Sequence, residues 1–216
     1  MFLGASSGIG RATAVLFAEL GACIALVARD KTRLEETRQA CIKAAQKEVY
    51  EIEKAYRLVN NAGCMIRDTA ETFNVDEFDR LMKVNLTAAI SLTHLAIPDL
   101  TVTKGAIVNV SSVCGNRSFP GVMSYCISKA ALDQFTRCTA LGNPAVIVTE
   151  LHRRSGMSEK DYSDFVAKAK DTHALGRTGT VEEVAQAIAF LSSSASTFTT
   201  GSSLMVDGGR SIMCPR

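Results

Sequence analysis

Gly4-Ala5-Ser6-Ser7-Gly8-Ile9-Gly10 stands directly before the first segment with helical periodicity. Glycines at its first, fifth and seventh positions allow a tight turn and let backbone amides approach an anion without an intervening Cβ atom. The anion would meet the unpaired N–H groups and the positive dipole end of the helix that follows. This stretch therefore predicts a turn that holds the pyrophosphate of a dinucleotide, with a plain glycine turn as the alternative.

Apolar runs alternate with helical patterns along almost the whole chain. The runs are nearly continuous in apolar residues, which is typical of parallel strands covered on both faces. Strands are predicted at 23–28, 57–59, 106–110, 145–148 and 203–206. Helices are predicted at 9–20, 31–47, 75–96, 125–140 and 181–191. The alternation predicts a Rossmann-type α/β fold: a doubly wound parallel sheet in three α/β/α layers, with residues 1–216 in a single domain.

Bulk composition argues against several classes of function. The chain has 216 residues and a formal net charge of +2, so no basic field favours nucleic acid or an anionic membrane. The seven cysteines are scattered without a C-x-x-C pair, and the three histidines show no metal spacing. No apolar run approaches the ~20 residues of a membrane span, and no signal peptide is visible. We therefore expect a cytoplasmic protein without disulfides, metal, nucleic-acid partner or membrane segment.

Two Tyr-x-x-x-Lys patterns occur in the chain, one from Tyr125 to Lys129 and one from Tyr50 to Lys54. The second lies in a charged stretch with no upstream strand ending in serine, and we interpret it as a surface pair. The first follows a predicted strand that ends at Ser111-Ser112, and ligands of open α/β sheets bind at such strand ends. Context rather than spacing marks Tyr125 as the candidate catalytic residue.

The four-residue spacing places Tyr125 and Lys129 on one face of a helix. A lysine ammonium about 5 Å from the phenol, at an effective dielectric of about 20, favours the phenolate by ~3 kcal/mol. A phenol, whose pKa is ordinarily near 10, then comes within working range of a general acid/base at neutral pH. Ser112 would donate a hydrogen bond to the substrate oxygen and stabilise its developing negative charge.

Further motifs occur in the order in which one known family carries them. Asn60-Asn61-Ala62-Gly63 ends a predicted strand, Asn85 lies in a predicted helix, and Val206-Asp207-Gly208-Gly209 stands near the C-terminal end. Together with the glycine turn and the Ser, Tyr and Lys described above, they make residues 4–209 resemble the short-chain dehydrogenase/reductase family. Within that family the chain is similar to the 3-oxoacyl-carrier-protein-reductase-like branch.

The resemblance implies a nicotinamide-dependent oxidoreductase that interconverts a small ketone or aldehyde and an alcohol, as a homotetramer or homodimer. A catalytically silent nucleotide-binding or regulatory protein on the same fold is the alternative. The implied catalytic residues are Asn85, Ser112, Tyr125 and Lys129. The implied coenzyme contacts are Gly4, Ser6, Ser7, Gly8, Ile9, Gly10, Arg29, Asn61, Ala62, Gly63, Tyr125, Lys129, Pro144, Ile147 and Thr149.

In the family pattern, Lys129 bonds the nicotinamide ribose, and Asn85 holds a water that links Lys129 to solvent protons. A helix asparagine that bonds a neighbouring loop is the alternative interpretation of Asn85. No residue of the set implies a metal.

The end of the strand predicted at 23–28 bears on coenzyme preference. Relatives that prefer NAD place an acid there, where it accepts a hydrogen bond from the ribose 2′-hydroxyl. This chain has Ala28 at that position, followed by Arg29, whose guanidinium can pair with a 2′-phosphate. Asp30 comes one residue too late for the ribose-binding acid. We therefore predict NADP(H), with NAD(H) as the alternative coenzyme.

Two connections, 29–60 and 129–144, are shorter than the family pattern requires for a parallel crossover. Either the chain has lost these segments, or the sequence omits residues that the whole protein contains. Residues at about 150–180 form a variable-looking stretch that carries Met157, Tyr162 and Phe165. We expect a lid-like insertion over an apolar substrate there, with plain helix packing as the alternative.

Overall fold

The computed structural model describes residues 1–45, 57–142, 146–147, 169–197 and 199–211. Five parallel strands form one sheet in the order β2-β1-β3-β4-β5. The strands are β1 Phe2–Leu3, β2 Leu26–Val27, β3 Arg57–Asn60, β4 Ala106–Asn109 and β5 Val146–Ile147. The helices are α1 Gly8–Glu19, α2 Lys31–Ala44, α3 Val75–Met82, α4 Ala88–Thr103, α5 Met123–Gly142, α6 Ala169–Thr172 and α7 Val181–Ser192. The predicted doubly wound parallel sheet is confirmed.

Helices cover both faces of this sheet. Leu58 of β3 packs on Ala96 and Leu100 of α4. The next residue, Val59, lies in a separate cluster with Phe17 of α1 and Ile188 of α7. Successive side chains of a strand point to opposite faces, and each such buried side chain stabilises the fold by about 1.5–3 kcal/mol. The three-layer α/β/α arrangement follows from this alternation.

Asparagines join the central strands to α5. Asn60 of β3 lies opposite Asn109 of β4, and its Nδ2 donates a hydrogen bond to Asn109 Oδ1 at 2.8 Å. Asn109 Nδ2 in turn donates to Thr136 Oγ1 of α5 at 3.0 Å. All three side chains are buried. Because a buried amide without a partner is costly, these bonds hold α5 in register with the strand ends.

The predicted glycine turn joins β1 to α1 and touches the segment that follows β3. Gly4 has a φ of +78°, and a Cβ atom on it would lie 2.8 Å from the backbone of Ala62. A Cβ atom on Gly10 would collide with the Gly4 carbonyl oxygen and lie 2.5 Å from Asn61 Nδ2. Asn61 Nδ2 donates to that same carbonyl at 3.0 Å. The glycines are therefore required by close backbone contact.

A helical stretch from Val75 to Thr103 comprises α3, a π-helical turn at Lys83–Thr87 and α4. It continues past the predicted end at residue 96 although Pro98 lies inside it, because Leu100 packs on the sheet and offsets the lost backbone bond. The stretch has 29 residues and a mean hydropathy of 1.2 in an 18-residue window. By length and composition it could span a membrane, contrary to our expectation. Its contacts with β3 and β4 make it a helix that packs on the sheet.

Two predicted features differ from the structure or lie outside its described part. Residues 203–206 form no strand, so that prediction is wrong. An apolar run forms a strand only where a neighbouring strand pairs with it, and the described residues show no such pairing at 203–206. Most of the lid-like insertion, and parts of both short connections, lie outside the described residues.

The close approach at the glycine turn can be measured through stability. We expect Gly10→Ala to lower the free energy of unfolding by about 2–3 kcal/mol, because the added methyl group is forced against backbone. Gly179→Ala is the matched control: its Cβ atom would meet only Glu183 Oε2 at an ordinary 3.5 Å, and we expect a change within about 0.5 kcal/mol. Urea unfolding of both variants gives the comparison, and equal losses would contradict the proposed contact.

Candidate active site

Polar residues collect where the parallel strands end. Leu3 of β1 pairs with Asn60 of β3, and Asn60 pairs with Asn109 of β4, so three strands end at nearly the same level. Gly4, Asn61 and Val110-Ser111-Ser112 continue directly from these ends. Arg29 follows β2 two residues after its last position. The predicted dinucleotide and catalytic residues thus share the carboxyl edge, where ligands of such sheets bind.

The glycine turn fits the pyrophosphate of a dinucleotide. Gly8 has a φ of +55° and no heavy atom within 4 Å of where its Cβ atom would lie. Ser7, the N-cap of α1, gives the helix no side-chain hydrogen bond. The Ser7 side chain therefore does not cap the backbone N–H groups at the start of this twelve-residue helix, and the helix dipole favours an anion there. Ser6 is 7% exposed and Ile9 is 8% exposed beneath them.

Tyr125 and Lys129 lie side by side in α5 and are both fully buried. The Lys129 Nζ atom lies 5.8 Å from the centroid of the Tyr125 ring. It donates a hydrogen bond to the Val110 carbonyl oxygen at 2.8 Å, just past the end of β4. This bond anchors the ammonium at the sheet edge. The predicted pairing of these two side chains is present in the structure.

Burial changes the acidity of this lysine. Desolvation lowers the pKa of Lys129 from its ordinary 10.5 to about 8, although the negative charge of Asp133 raises it in part. A charge is disfavoured in a site without water because the surrounding protein solvates it poorly. Lys129 is therefore charged below about pH 8 and neutral above it. The sequence argument, which used only the distance between the lysine and the phenol, does not predict this lowered pKa.

Ser112 lies at the N-terminal end of a short 3-10 turn, Val113–Gly115, and is 5% exposed. Its Oγ atom accepts a hydrogen bond from the Cys114 N–H at 3.2 Å. Val113 and Cys114 pack in the same cluster as Tyr125, so the serine lies close to the tyrosine. With one lone pair of Oγ engaged by the backbone, the hydroxyl proton is available for a substrate oxygen.

Asn85 sits in the π-helical turn, 1% exposed, with its side-chain amide bonded to the segment after β3. Its Oδ1 accepts from the Cys64 N–H at 2.8 Å, and its Nδ2 donates to the Cys64 carbonyl at 2.9 Å. Nδ2 also donates to Ser128 Oγ at 3.0 Å. Asn85 therefore ties this segment to α5, which is the contact that its alternative interpretation predicted. Widened helical turns of this kind occur often at functional sites.

Gly63 faces both partners of the predicted proton path. A Cβ atom on it would lie 3.6 Å from Asn85 Oδ1 and 3.7 Å from Lys129 Nζ. Gly63 therefore borders both the Lys129 ammonium and the Asn85 side chain at the sheet edge. Asn61 Oδ1 is buried there and has no hydrogen-bond partner among the described residues.

Arg29 and Asp30, which follow β2, have different surroundings. Asp30 is occupied as the N-cap of α2: its Oδ1 accepts from the Arg33 N–H at 3.0 Å, and its Oδ2 lies 3.4 Å from Arg33 Nε. Arg29 is exposed and close enough to the site to lower the pKa of the Cys64 thiol in part, against the larger effect of burial. Of the remaining predicted contacts, Ile147 lies in β5, and Pro144 and Thr149 lie outside the described residues.

Asp133 belongs to the site and was not predicted. It lies one helical turn beyond Lys129, so Tyr125, Lys129 and Asp133 follow each other at four-residue steps along one face of α5. Asp133 is 2% exposed, and its Oδ1 has no hydrogen-bond partner among the described residues. Its Oδ2 lies so close to Gly115 that a Cβ atom there would collide with it. The four-residue repeat was visible in the sequence and could have identified this residue.

Burial raises the pKa of the Asp133 carboxyl, and the nearby charge of Lys129 lowers it in part.

The described residues contain no group of three or more His, Cys, Asp or Glu side chains able to hold a metal. Within the same part of the chain, the six cysteines carry no disulfide bond.

Known proteins are similar to this chain over most of its length. A family model described as enoyl-(acyl carrier protein) reductase matches residues 35–211. Human L-xylulose reductase is 32% identical over 234 aligned residues, which cover 95% of this chain and 93% of the relative. The 3-oxoacyl-(acyl-carrier-protein) reductase of Thermotoga maritima is 33% identical over 241 residues, with 97% and 96% covered. Both alignments are longer than the chain, so the relatives contain residues that it lacks.

Solved structures of dehydrogenases and reductases are also similar to this chain along nearly its whole length. A short-chain dehydrogenase/reductase of unknown function from Caenorhabditis elegans, determined with cofactor, is 33% identical, has a TM-score of 0.85, and is matched over 99% of this chain and 94% of its own. A gluconate 5-dehydrogenase from Burkholderia cenocepacia, in complex with NADP and tartrate, is 25% identical with a TM-score of 0.85, over 98% and 94%. This chain therefore belongs to the short-chain dehydrogenase/reductase family, and it is an oxidoreductase acting on CH–OH or carbonyl groups.

Proposed function

We propose that the protein is an NADP(H)-dependent reductase of ketones and aldehydes in which Tyr125 is the general acid/base. The observation that carries this proposal is the fully buried Tyr125–Lys129 pair at the sheet edge. A buried ammonium destabilises a fold unless it is well partnered, and perturbed ionisable groups concentrate at functional sites. The coenzyme fits beside this pair, at the glycine turn of β1 and α1.

The described residues can perform the proton chemistry of carbonyl reduction. When bound, the reduced nicotinamide supplies a hydride to the carbonyl carbon. Tyr125 donates its hydroxyl proton to the carbonyl oxygen and retains the electron pair as phenolate, so that the alcohol is complete. The Lys129 ammonium stabilises that phenolate, and Ser112 donates a hydrogen bond to the same substrate oxygen. Alcohol oxidation reverses each step.

The proton that Tyr125 gives up has to be replaced from solvent. Lys129 can pass it on, because its ammonium borders the gap left by the missing Gly63 side chain. Asn85 borders the same gap through its Oδ1 atom, which also accepts from the Cys64 N–H, while its Nδ2 atom donates to the Cys64 carbonyl. We infer that a water held in this gap links Lys129 to solvent, with Asn85 as its positioning residue.

We extend the proposal to assembly and location. Leu95 and Val102 of α4 lie seven residues apart, on one helix face, and are 72% and 69% exposed. Covering such side chains in a homodimer or homotetramer would remove apolar surface from water. A cytoplasmic location fits the absence of disulfide bonds among the described cysteines. Light scattering of the purified protein tests the assembly, and a mass near the 23.1 kDa of one chain would contradict it.

The role of Tyr125 can be tested against a matched decoy. We expect Tyr125→Phe to lower kcat/KM for NADPH-dependent ketone reduction at least about a thousandfold, because the variant lacks the proton donor. Binding of NADPH should stay within about twofold. Tyr50→Phe removes the tyrosine of the other Tyr-x-x-x-Lys pattern and should leave kcat/KM unchanged.

The measurement is NADPH oxidation against a panel of ketones, dicarbonyls and 3-oxoacyl thioesters. Undiminished turnover in Tyr125→Phe would remove Tyr125 from the mechanism. Tight NADPH binding without turnover of any substrate would favour the catalytically silent alternative.

Asp133 should set the alkaline limit of activity. Its negative charge raises the pKa of Lys129 against the effect of burial, so Asp133→Asn should lower that pKa further. The reduction rate should fall as pH rises through the pKa of Lys129, near 8 in the unaltered protein. In Asp133→Asn the fall should come about 1 pH unit lower.

The pH dependence of kcat/KM in the two proteins gives this comparison. Asp99→Asn, which removes an exposed charge from α4, is the control and should leave the profile in place. An unchanged alkaline limit in Asp133→Asn would contradict the role of Asp133, whatever its effect on stability.

Coenzyme preference should depend on Arg29. We expect kcat/KM to be at least about tenfold higher with NADPH than with NADH, since a guanidinium pairs strongly with a phosphate. Arg29→Ala should bring the two coenzymes close to parity by weakening NADPH, whereas Arg38→Ala, on the exposed face of α2, should not. Equal or better turnover with NADH in the unaltered protein would show that the NADP(H) assignment is wrong.

A further inference from the structure

An open pocket of about 500 Å³ lies beside the apolar cluster that contains Tyr125. One wall is the segment after β3, between Met65 and Thr72, and the other is the segment that enters α5, between Phe119 and Val122. Met65, Phe119 and Val122 also pack in the apolar cluster that contains Tyr125. The pocket is therefore adjacent to the proposed proton donor, and its volume is that of a small-molecule site.

Hydrogen bonds join the two walls and fix their spacing. The Asp68 N–H donates to the Gly121 carbonyl at 3.1 Å, and the Met123 N–H donates to the Asp68 carbonyl at 3.3 Å. The Asp68 carboxylate accepts from the Ser124 N–H at 3.1 Å and from the Ser124 hydroxyl. These bonds occupy one acceptor site on each carboxylate oxygen of a residue that is 5% exposed. These bonds fix the shape of the pocket, and they also engage both oxygens of the Asp68 carboxylate.

Two arginines add positive charge to this pocket. Arg67 and Arg210 line it, and Asp68 is the only acid among its lining residues. Arg67 is exposed, and within the described part of the chain no carboxylate lies within 4 Å of it. The Arg210 guanidinium stacks on the Phe119 ring, 5.4 Å from its centroid. This stacking holds the Arg210 guanidinium at the wall of the pocket. The Arg67 side chain lies beside it and is exposed to solvent.

The segment that carries Arg210 is itself held in place. Arg117 Nη1 donates to the carbonyls of Arg210 and Ser211 at 3.3 and 3.4 Å. Asp207 accepts from the N–H groups of Gly209 and Ser211 at 2.9 and 2.8 Å. A cation fixed in this way loses less conformational freedom when it binds an anion. The C-terminal turn thereby contributes to the pocket although it forms no strand.

We propose that this pocket selects carbonyl substrates that carry a carboxylate at the end of a short apolar chain. The apolar walls formed by Met65, Cys114 and Phe119 would hold the chain with its carbonyl toward Tyr125. The guanidinium groups of Arg67 and Arg210 would bind the carboxylate, for which their planar donor sets are suited. This proposal rests on the proposed reductase function and names the substrate class of that site.

Binding can be measured separately from catalysis. Isothermal titration calorimetry of the full chain with hexanoate and with hexanamide compares two chains of equal length, one charged and one neutral. We expect hexanoate to bind at least about tenfold more tightly. Arg67→Met and Arg210→Met should each remove most of this preference. Arg38→Met, a control on the exposed face of α2, should retain it.

Turnover distinguishes the two levels of the proposal. With NADPH, 5-oxohexanoate should be reduced with a kcat/KM at least about tenfold above that of its methyl ester, and Arg67→Met should lower only the value for the acid. Equal reduction of acid and ester would overturn the selection of anions and leave the reductase function standing. Arginine-dependent binding of hexanoate without reduction of any carbonyl would uphold the anion site and overturn the reductase function. Equal affinity for hexanoate and hexanamide would overturn the anion site directly.

Discussion

A buried lysine at the end of a buried strand is the constraint on which the site depends. Lys129 has 1% of its surface exposed, and its Nζ atom is held by the Val110 carbonyl at 2.8 Å. Removing an ammonium from water costs several kcal/mol unless hydrogen bonds and opposite charge compensate. Here the compensation comes from the backbone of the strand end and from the field of Asp133. Tyr125 is buried next to this ammonium, whose positive charge stabilises the tyrosine phenolate.

Close backbone contacts make that environment possible. A side chain on Gly10 or Gly4 would separate the glycine turn from the segment after β3. A side chain on Gly115 would displace the Asp133 carboxylate, whereas one on Gly63 would lie at ordinary contact distance from Lys129 Nζ. Asn85 and Asn60 then fix the same segments by hydrogen bonds. The site is therefore formed by the glycine turn and the segment after β3, which are in direct contact, and by α5, which carries Tyr125 and packs against that segment.

Sequence patterns predicted much of this arrangement, because hydrophobic period and strand ends determine which residues share an edge. The helices and central strands follow their predicted positions, and the edge brings together Gly4, Asn61, Ser112 and Tyr125 as expected. The strand at 203–206 was wrong, since an apolar run does not show whether a partner edge exists. The continuation of α4 through Pro98 depended on tertiary packing. Burial lowers the pKa of Lys129 and brings Asp133 against Gly115. Sequence periodicity predicts which residues are buried but not how strongly burial changes a pKa or how closely two side chains approach.

Lys129 is a buried cation that loses its charge only slightly above neutral pH. Its titration can be followed directly by nuclear magnetic resonance of the lysine side-chain ε-methylene carbons, with Lys129→Met identifying the signal that belongs to this residue. The structure predicts a transition near pH 8 in the unaltered protein. A transition near the ordinary lysine value of 10.5 would show that the ammonium is well solvated and would contradict the account.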